Sequence, residues 1–317
     1  MSESTTMLPS FIFVGGCSRS GTTLLQKILI AHSQVVGGPE FDHAERIMTL
    51  YKTMLHNQKD RHKDYYSKEE LADIFRDFYN SAFAGIRAMK PNATRISEKT
   101  PRNIFAAEEL LRLFPDAVYV NIVRDGRDVV MSHMDVNRRR DKKEKLKFKQ
   151  FSFGRTCRLW NQCVDTYLRI SGDAAIQGRV FNVSYEDLVT NPANAVPALL
   201  EKLDLPMEPH LLRQEQTGFE AAGIQADNIW TTQEMLDQPI NTGRIGRWKQ
   251  GMGPVARWLC EVRLADNLRR MGYAVNGASR IQQAVMTRFA ELACRLAKFL
   301  WKLRPTNLIY HVRKRLG

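Results

Sequence analysis

The chain has 317 residues, 44% of them hydrophobic and 26% charged, the composition of an ordinary folded protein, which excludes wholesale disorder. That length suits one large α/β domain with a well-buried core. A formal charge of +13 favours anionic partners, whether a nucleotide, a phosphorylated or sulfated substrate, a nucleic acid or an anionic membrane.

The five cysteines, Cys17, Cys157, Cys163, Cys260 and Cys294, are scattered and form no CxxC pair. Neither a disulfide framework nor a zinc site is expected, and they read as reduced thiols of a cytoplasmic protein. Residues 1–10 lack a basic segment and a long apolar core, so no signal peptide is expected there. No stretch reaches the ~18 uninterrupted apolar residues of a spanning helix.

In chain order, residues 11–14 (FIFV) form a compact apolar run closed by Gly15 and Gly16, the pattern of a buried parallel strand. Residues 22–31 then place Leu24, Leu25, Ile28 and Leu29 on one side of a helix. A polar, mostly helical stretch follows to Lys90, and 95–98 reads as a short strand. A helix over 102–114 stops at Pro115, and 117–123 is the clearest strand, β-branched and nearly continuous. Helices over 125–140 and 151–170 precede a strand over 180–183; 221–253 reads as an ordered loop region and 255–271 as a helix. Strands alternating with helices predict a three-layer, P-loop-like α/β fold with a central parallel sheet flanked by helices, over residues 1–275. Residues 276–317 read as a basic amphipathic helical extension, with Met286, Phe289, Leu292, Leu296 and Phe299 at helical spacing beside Arg295, Lys298 and Lys302. It either packs on the domain or on a second copy, giving a homodimer, or touches an anionic membrane peripherally.

The segment from Gly16 to Thr23 joins the first strand to the first helix. Backbone N–H groups in such a loop, backed by a helix N-terminus, cradle a phosphate-like anion. The two glycines have P-loop spacing, but Thr22 stands where a nucleoside-triphosphate enzyme carries lysine, and the cation is Arg19, inside the loop. An anion held without a metal is therefore expected. Residues 16–24 (GCSRSGTTL) resemble the 5'-phosphosulfate loop of sulfotransferases that use 3'-phosphoadenosine 5'-phosphosulfate (PAPS), with Ser18 where many members carry proline. The resemblance implies that Arg19, Ser20, Gly21, Thr22 and Thr23 hold the 5'-phosphosulfate.

The 117–123 strand runs into Arg124, Asp125, Gly126, Arg127 and Asp128, with Ser132 about two helical turns on. A guanidinium and a hydroxyl at a strand's carboxyl end suit a phosphate dianion. A strand-end ion pair, Arg124 or Arg127 with Asp125 or Asp128, is the alternative for this segment alone. The motif is similar to the family's 3'-phosphate site, with Arg124 and Ser132 matching its ligands. Tyr185, in a Tyr-Glu-Asp-Leu segment, resembles a family residue near the nucleotide. Arg244 and Arg247, in a late Gly-x-Trp-Lys loop, resemble its phosphate ligands.

Sulfuryl transfer to a hydroxyl needs a base for the acceptor proton and a cation at the leaving oxygen. The tyrosylprotein and heparan sulfate sulfotransferases carry a base glutamate after the first helix. By that resemblance Glu40 is the general base, with His43 in reserve. Lys99, in residues 98–101 (EKTP), matches the leaving-group lysine, and Thr232 matches a sulfuryl-oxygen donor. Gln238 and Asp42 depart from the tyrosylprotein pattern, which has lysine and arginine there. The resemblance implies PAPS as co-substrate, PAP as product, no metal and a hydroxyl-bearing acceptor: glycan, lipid, small molecule or peptide tyrosine. The rivals are a P-loop nucleotide kinase, which would need the missing lysine, and a catalytically inactive basic membrane or nucleic-acid binding module. No zinc finger, recognition helix or RNA-binding signature supports nucleic acid as a partner. The basic run over 138–149 reads as a solvated face.

Overall fold

A computed structural model describes residues 10–57, 64–139, 153–212 and 242–275, together with Arg288 and Leu292. Thr232, Gln238 and most of the 276–317 extension lie outside the described residues. The chain divides into two compact units, Met1–Arg247 and Trp248–Gly317.

The first unit is built on five parallel strands: β1 (Ser10–Gly16), β2 (Val35–Gly37), β3 (Arg95–Lys99), β4 (Val118–Val123) and β5 (Val180–Ser184), in the order β2-β3-β1-β4-β5. A central strand is covered on both faces, which is why β1 reads as continuously apolar; Phe11, Ile12, Phe13 and Val14 are all buried. Helix α1 (Thr22–Ala31) links β1 to β2. Helices α2 (Ala44–Asn57), α3 (Lys68–Ala82) and α4 (Ala84–Met89) lead to β3. A 3₁₀ turn, Pro101–Phe105, and α5 (Ala107–Leu113) occupy the segment expected as one helix, and α6 (Gly126–Arg139) follows β4. Helix α7 (Phe153–Ser171) leads to β5, then α8 (Tyr185–Thr190) and α9 (Pro192–Lys202).

The core on one side of the sheet gathers Leu25, Ile28 and Leu29 of α1 with Leu188, Val196, Leu199 and Leu200 of α8 and α9. Elsewhere Phe11 and Phe13 stack at 5.1 Å and meet Tyr79, Phe114 and, through Phe11, Phe83 in edge and tilted contacts.

The second unit holds α10 (Trp248–Gly251) and α11 (Pro254–Arg270). Within it Arg257 reaches across to the Lys249 and Met252 carbonyls and lies over the Trp248 ring. Among the described residues no helix is long and apolar enough to cross a membrane.

The topology fixes where a ligand goes. After β1 the chain turns toward β2, and after β4 it turns the other way, toward β5. The crevice beyond the carboxyl ends of β1 and β4 is therefore the switch point at which open α/β sheets bind ligands. Register places Gly16 beside Ile122 and Val14 beside Lys99, so the segments leaving β1, β3 and β4 emerge at one edge.

Candidate active site

The loop over residues 17–21 depends on close packing. A Cβ on Gly16 would lie 2.4 Å from the Ile122 carbonyl oxygen, so only glycine lets β1 run this near β4 at its end. Gly21 caps α1 with φ 102°, and a Cβ there would lie 2.5 Å from the Tyr185 ring. Between them Arg19 adopts φ 75°, a left-handed conformation that side chains disfavour. No side chain caps the first turn of α1 and no acidic residue sits in it, which leaves its amides and partial positive charge facing the crevice. The Ser20 hydroxyl is buried with no hydrogen-bond partner.

Arg124 begins the segment after β4 and ties the two candidate anion sites together. Its Nη1 donates to the Arg19 carbonyl at 3.2 Å and its Nη2 donates to the Arg244 carbonyl. The guanidinium stacks 4.5 Å over the Tyr185 ring. Its Nε is buried without a partner. Arg19 in turn donates from Nε to the Ser132 hydroxyl at 3.1 Å. Arg19, Arg124 with Ser132, and Tyr185, drawn from three segments of the chain, thus form one cluster. Two orphaned buried polar atoms, Ser20 Oγ and Arg124 Nε, fit a bound anion, since burying such groups unpaired costs about 1–3 kcal/mol each.

Both arginines of this segment have an ion-pair partner, but Arg127 holds its carboxylate far more tightly than Arg124 does. Arg127 grips Asp125 from Nε and Nη2, at 3.0 and 2.8 Å, and both are buried. Arg124 stays 3.9 Å from Asp128, whose carboxylate accepts the Gly246 N–H at 2.7 Å instead. Asp128 therefore holds the 242–246 turn against α6. Arg244 lies beside Tyr185, and with Arg124 it counters the burial that pushes the phenol pKa up. Arg247 sits on the surface, 3.2 Å from Asp135, and is not brought to the crevice. Thr22 is buried, and Thr23 is partly exposed on the first turn of α1.

The acceptor side lies at the β3 end. Lys99 Nζ donates to Glu40 Oε1 at 2.5 Å; Lys99 is buried, whereas the Glu40 side chain is 45% exposed. A buried cation meeting an accessible carboxylate pairs a candidate leaving-group stabiliser with a candidate base. His43 is exposed and packs edge-on to Phe41, 5.5 Å between centroids.

Sequence reasoning missed what holds Glu40. Glu98 is 2% exposed. Its carboxylate accepts from the Thr100 hydroxyl at 2.7 Å, from Asn103 Nδ2, and from the Phe41 N–H at 3.4 Å. Thr100 Oγ1 accepts the Asp42 N–H at 3.1 Å, and Asn103 Nδ2 also reaches the Val14 carbonyl at 3.1 Å. The turn bearing Glu40 is thus stitched to β1 and β3 through Glu98. Burial pushes the Glu98 pKa up, against the pull of Thr100, Asn103, the Phe41 amide and Lys99. The only sequence signal was its place beside Lys99.

A parallel sheet carrying a helix-backed glycine loop and a buried arginine at one switch point is the arrangement in which open α/β proteins bind anionic ligands. The profile described as the sulfotransferase family matches residues 9–209, and the chain belongs to that family. It is 28% identical over 268 residues to the protein-tyrosine sulfotransferase of Drosophila melanogaster, covering 83% of this chain and 51% of that one. To protein-tyrosine sulfotransferase A of Caenorhabditis elegans it is 27% identical over 271 residues, covering 84% and 68%. The chain thus spans about half the length of the fly relative. Among solved structures, the sulfotransferase domain from the curacin biosynthetic pathway superposes with a TM-score of 0.60 at 18% identity, covering 85% of this chain and 100% of that one, a likeness of fold. Family membership sets the nucleotide-kinase alternative aside.

Proposed function

We propose that the chain transfers a sulfuryl group from PAPS to an acceptor hydroxyl by in-line displacement. The observation that carries this reading is the Arg19–Ser132 and Arg124–Arg19 linkage, which makes the glycine loop and the post-β4 segment a single site for a ligand with two anionic ends. In it the loop amides, Arg19, Ser20, Thr22 and Thr23 take the 5'-phosphosulfate, and Arg124 and Ser132 take the 3'-phosphate. Tyr185 and Arg244 flank Arg124.

Glu40 accepts the acceptor's proton as its oxygen attacks sulfur. The sulfur–oxygen bond to the 5'-phosphate breaks, and Lys99 stabilises the charge left on the bridging oxygen, so PAP departs as the leaving group. The Glu40–Lys99 pair brings base and cation to the same end of the sheet; in-line transfer seats the acceptor oxygen and the sulfur between them, so this direct contact has to part when donor and acceptor bind.

A phenolic hydroxyl is the first acceptor to test, because the fly and worm relatives are named for tyrosine. Asp42, exposed two residues beyond Glu40, disfavours an acidic peptide at that point. The test is purified protein with radiolabelled PAPS and a panel of phenols, tyrosine peptides, glycans and lipid alcohols. Label transfer to one class, lost about 100-fold or more in Glu40→Gln while PAP still binds, is the expected result. A Glu40→Gln protein with undiminished turnover would remove Glu40 from its role, and failure to bind PAP would remove the donor.

A further inference from the structure

Resting on the reading of the 17–21 loop as the 5' end of the donor site, we propose that His133 is a positioning residue that presets this loop. His133 lies on α6, directly after Ser132, and is 1% exposed. Its Nε2 lies 3.2 Å from the Ser18 carbonyl oxygen and 3.1 Å from the Ser18 hydroxyl. A carbonyl oxygen only accepts, so Nε2 carries the proton and shares it between the two oxygens.

Ser18 immediately precedes Arg19, the residue with φ 75°. A chain segment forced into that conformation stays there only if its surroundings over-determine it. Three ties reach it from the β4–α6 segment: His133 to Ser18, Ser132 to the Arg19 side chain and Arg124 to the Arg19 carbonyl. Ser132 and Arg124 are also assigned to the 3'-phosphate, and ligand occupies them. His133 is assigned to neither anion, and through Ser18 it holds the loop to α6. It sets the 5' cradle at a constant distance from the 3' site before ligand arrives, which saves the donor the cost of ordering the loop.

The test compares two ligands by titration calorimetry. PAP spans both anion sites, whereas adenosine 3'-phosphate reaches only the Arg124 site. In His133→Leu, PAP affinity is expected to fall about tenfold while adenosine 3'-phosphate affinity stays within about twofold. His133→Gln, whose amide N–H falls near the Nε2 position, should recover most of the PAP affinity. Ser18→Ala should weaken PAP about threefold alone and not at all in the His133→Leu background, the mark of a shared interaction. Ser18→Ala also supplies the answer if His133→Leu does not fold: PAP affinity unchanged in it overturns the proposal. So does an equal loss for both ligands in His133→Leu, which would mark general packing, or a loss that His133→Gln fails to restore. If the unaltered protein binds adenosine 3'-phosphate but not PAP, the donor reading itself is at fault.

Discussion

Arg124 and Arg127 stand three residues apart, and the resemblance assigns only Arg124 to a phosphate. The structure separates them too, because Arg127 hydrogen-bonds a carboxylate directly, whereas Arg124 hydrogen-bonds two carbonyls and covers an aromatic face, with Asp128 no nearer than 3.9 Å. Their substitutions should fail in different ways. Arg127→Ala leaves Asp125 buried without its cation and is expected to cost about 3–5 kcal/mol of stability in a denaturant titration. Arg124→Ala should instead weaken PAP binding by about 1.5–3 kcal/mol with a smaller loss of stability. Arg124→Lys should restore little, because an ammonium cannot reach two carbonyls and a ligand as a planar fork does. Glu98 makes a pH-dependent prediction. Its folded pKa is raised, so the folded chain holds the proton more tightly than the unfolded one. Stability from this group is greatest in acid and declines as pH climbs past the ordinary glutamate value through the raised one. The melting temperature of the unaltered protein relative to Glu98→Gln should therefore be most favourable at low pH and shrink toward neutrality.

At the level of elements, the sequence carried β1, β4, α1 and α6 plainly, since each is a local pattern bounded by glycine or a charged turn. Strand β2 was not legible, because Val35–Gly37 is too short for any periodicity to show. The single helix expected over 102–114 breaks into a 3₁₀ turn and α5 because Asn103 is drawn to Glu98 and the Val14 carbonyl, contacts from outside the segment. The same reason hid the roles of Glu98 and His133: the partners that tie them to other elements, Phe41 and Ser18, lie 57 and 115 positions away, and no spacing rule reports such pairings. Glycines fared better, because their need is local. Gly21→Ala would force a Cβ into the Tyr185 ring at φ 102°. Its stability and PAP affinity should both drop, the former by more than about 1 kcal/mol, whereas alanine at a glycine of compatible conformation would stabilise the chain by ~0.4–1 kcal/mol.

At the scale of the whole chain, 47 Lys and Arg against 34 Asp and Glu give a net positive charge that attracts anions. Long-range attraction of this kind accelerates capture and is screened over roughly 8 Å at physiological ionic strength. The second-order rate constant for PAPS should fall steadily as salt rises from 20 to 300 mM, on the order of several-fold, while turnover at saturating donor changes little. Equal salt sensitivity of both would locate the effect in chemistry or folding. Fold class was readable because short apolar strands alternate with helices, and the glycine loop and Arg124 were readable as candidates because each belongs to a short local motif. What was not readable is how Glu98 ties the Glu40 turn to the sheet, because Phe41, Asp42 and Val14 come to it and to Thr100 and Asn103 from distant parts of the chain.

The twisted backbone at Arg19 has an evolutionary cost. Arginine is a poor occupant of a φ of 75°, and glycine a good one, so the chain tolerates an ill-suited residue for the sake of its charge. Arg19→Gly is expected to outlast Arg19→Ala on heating by roughly 1 kcal/mol, although both lose the guanidinium. Drift left unchecked by selection would then tend toward a sturdier, inert protein, with this position among the first to relax.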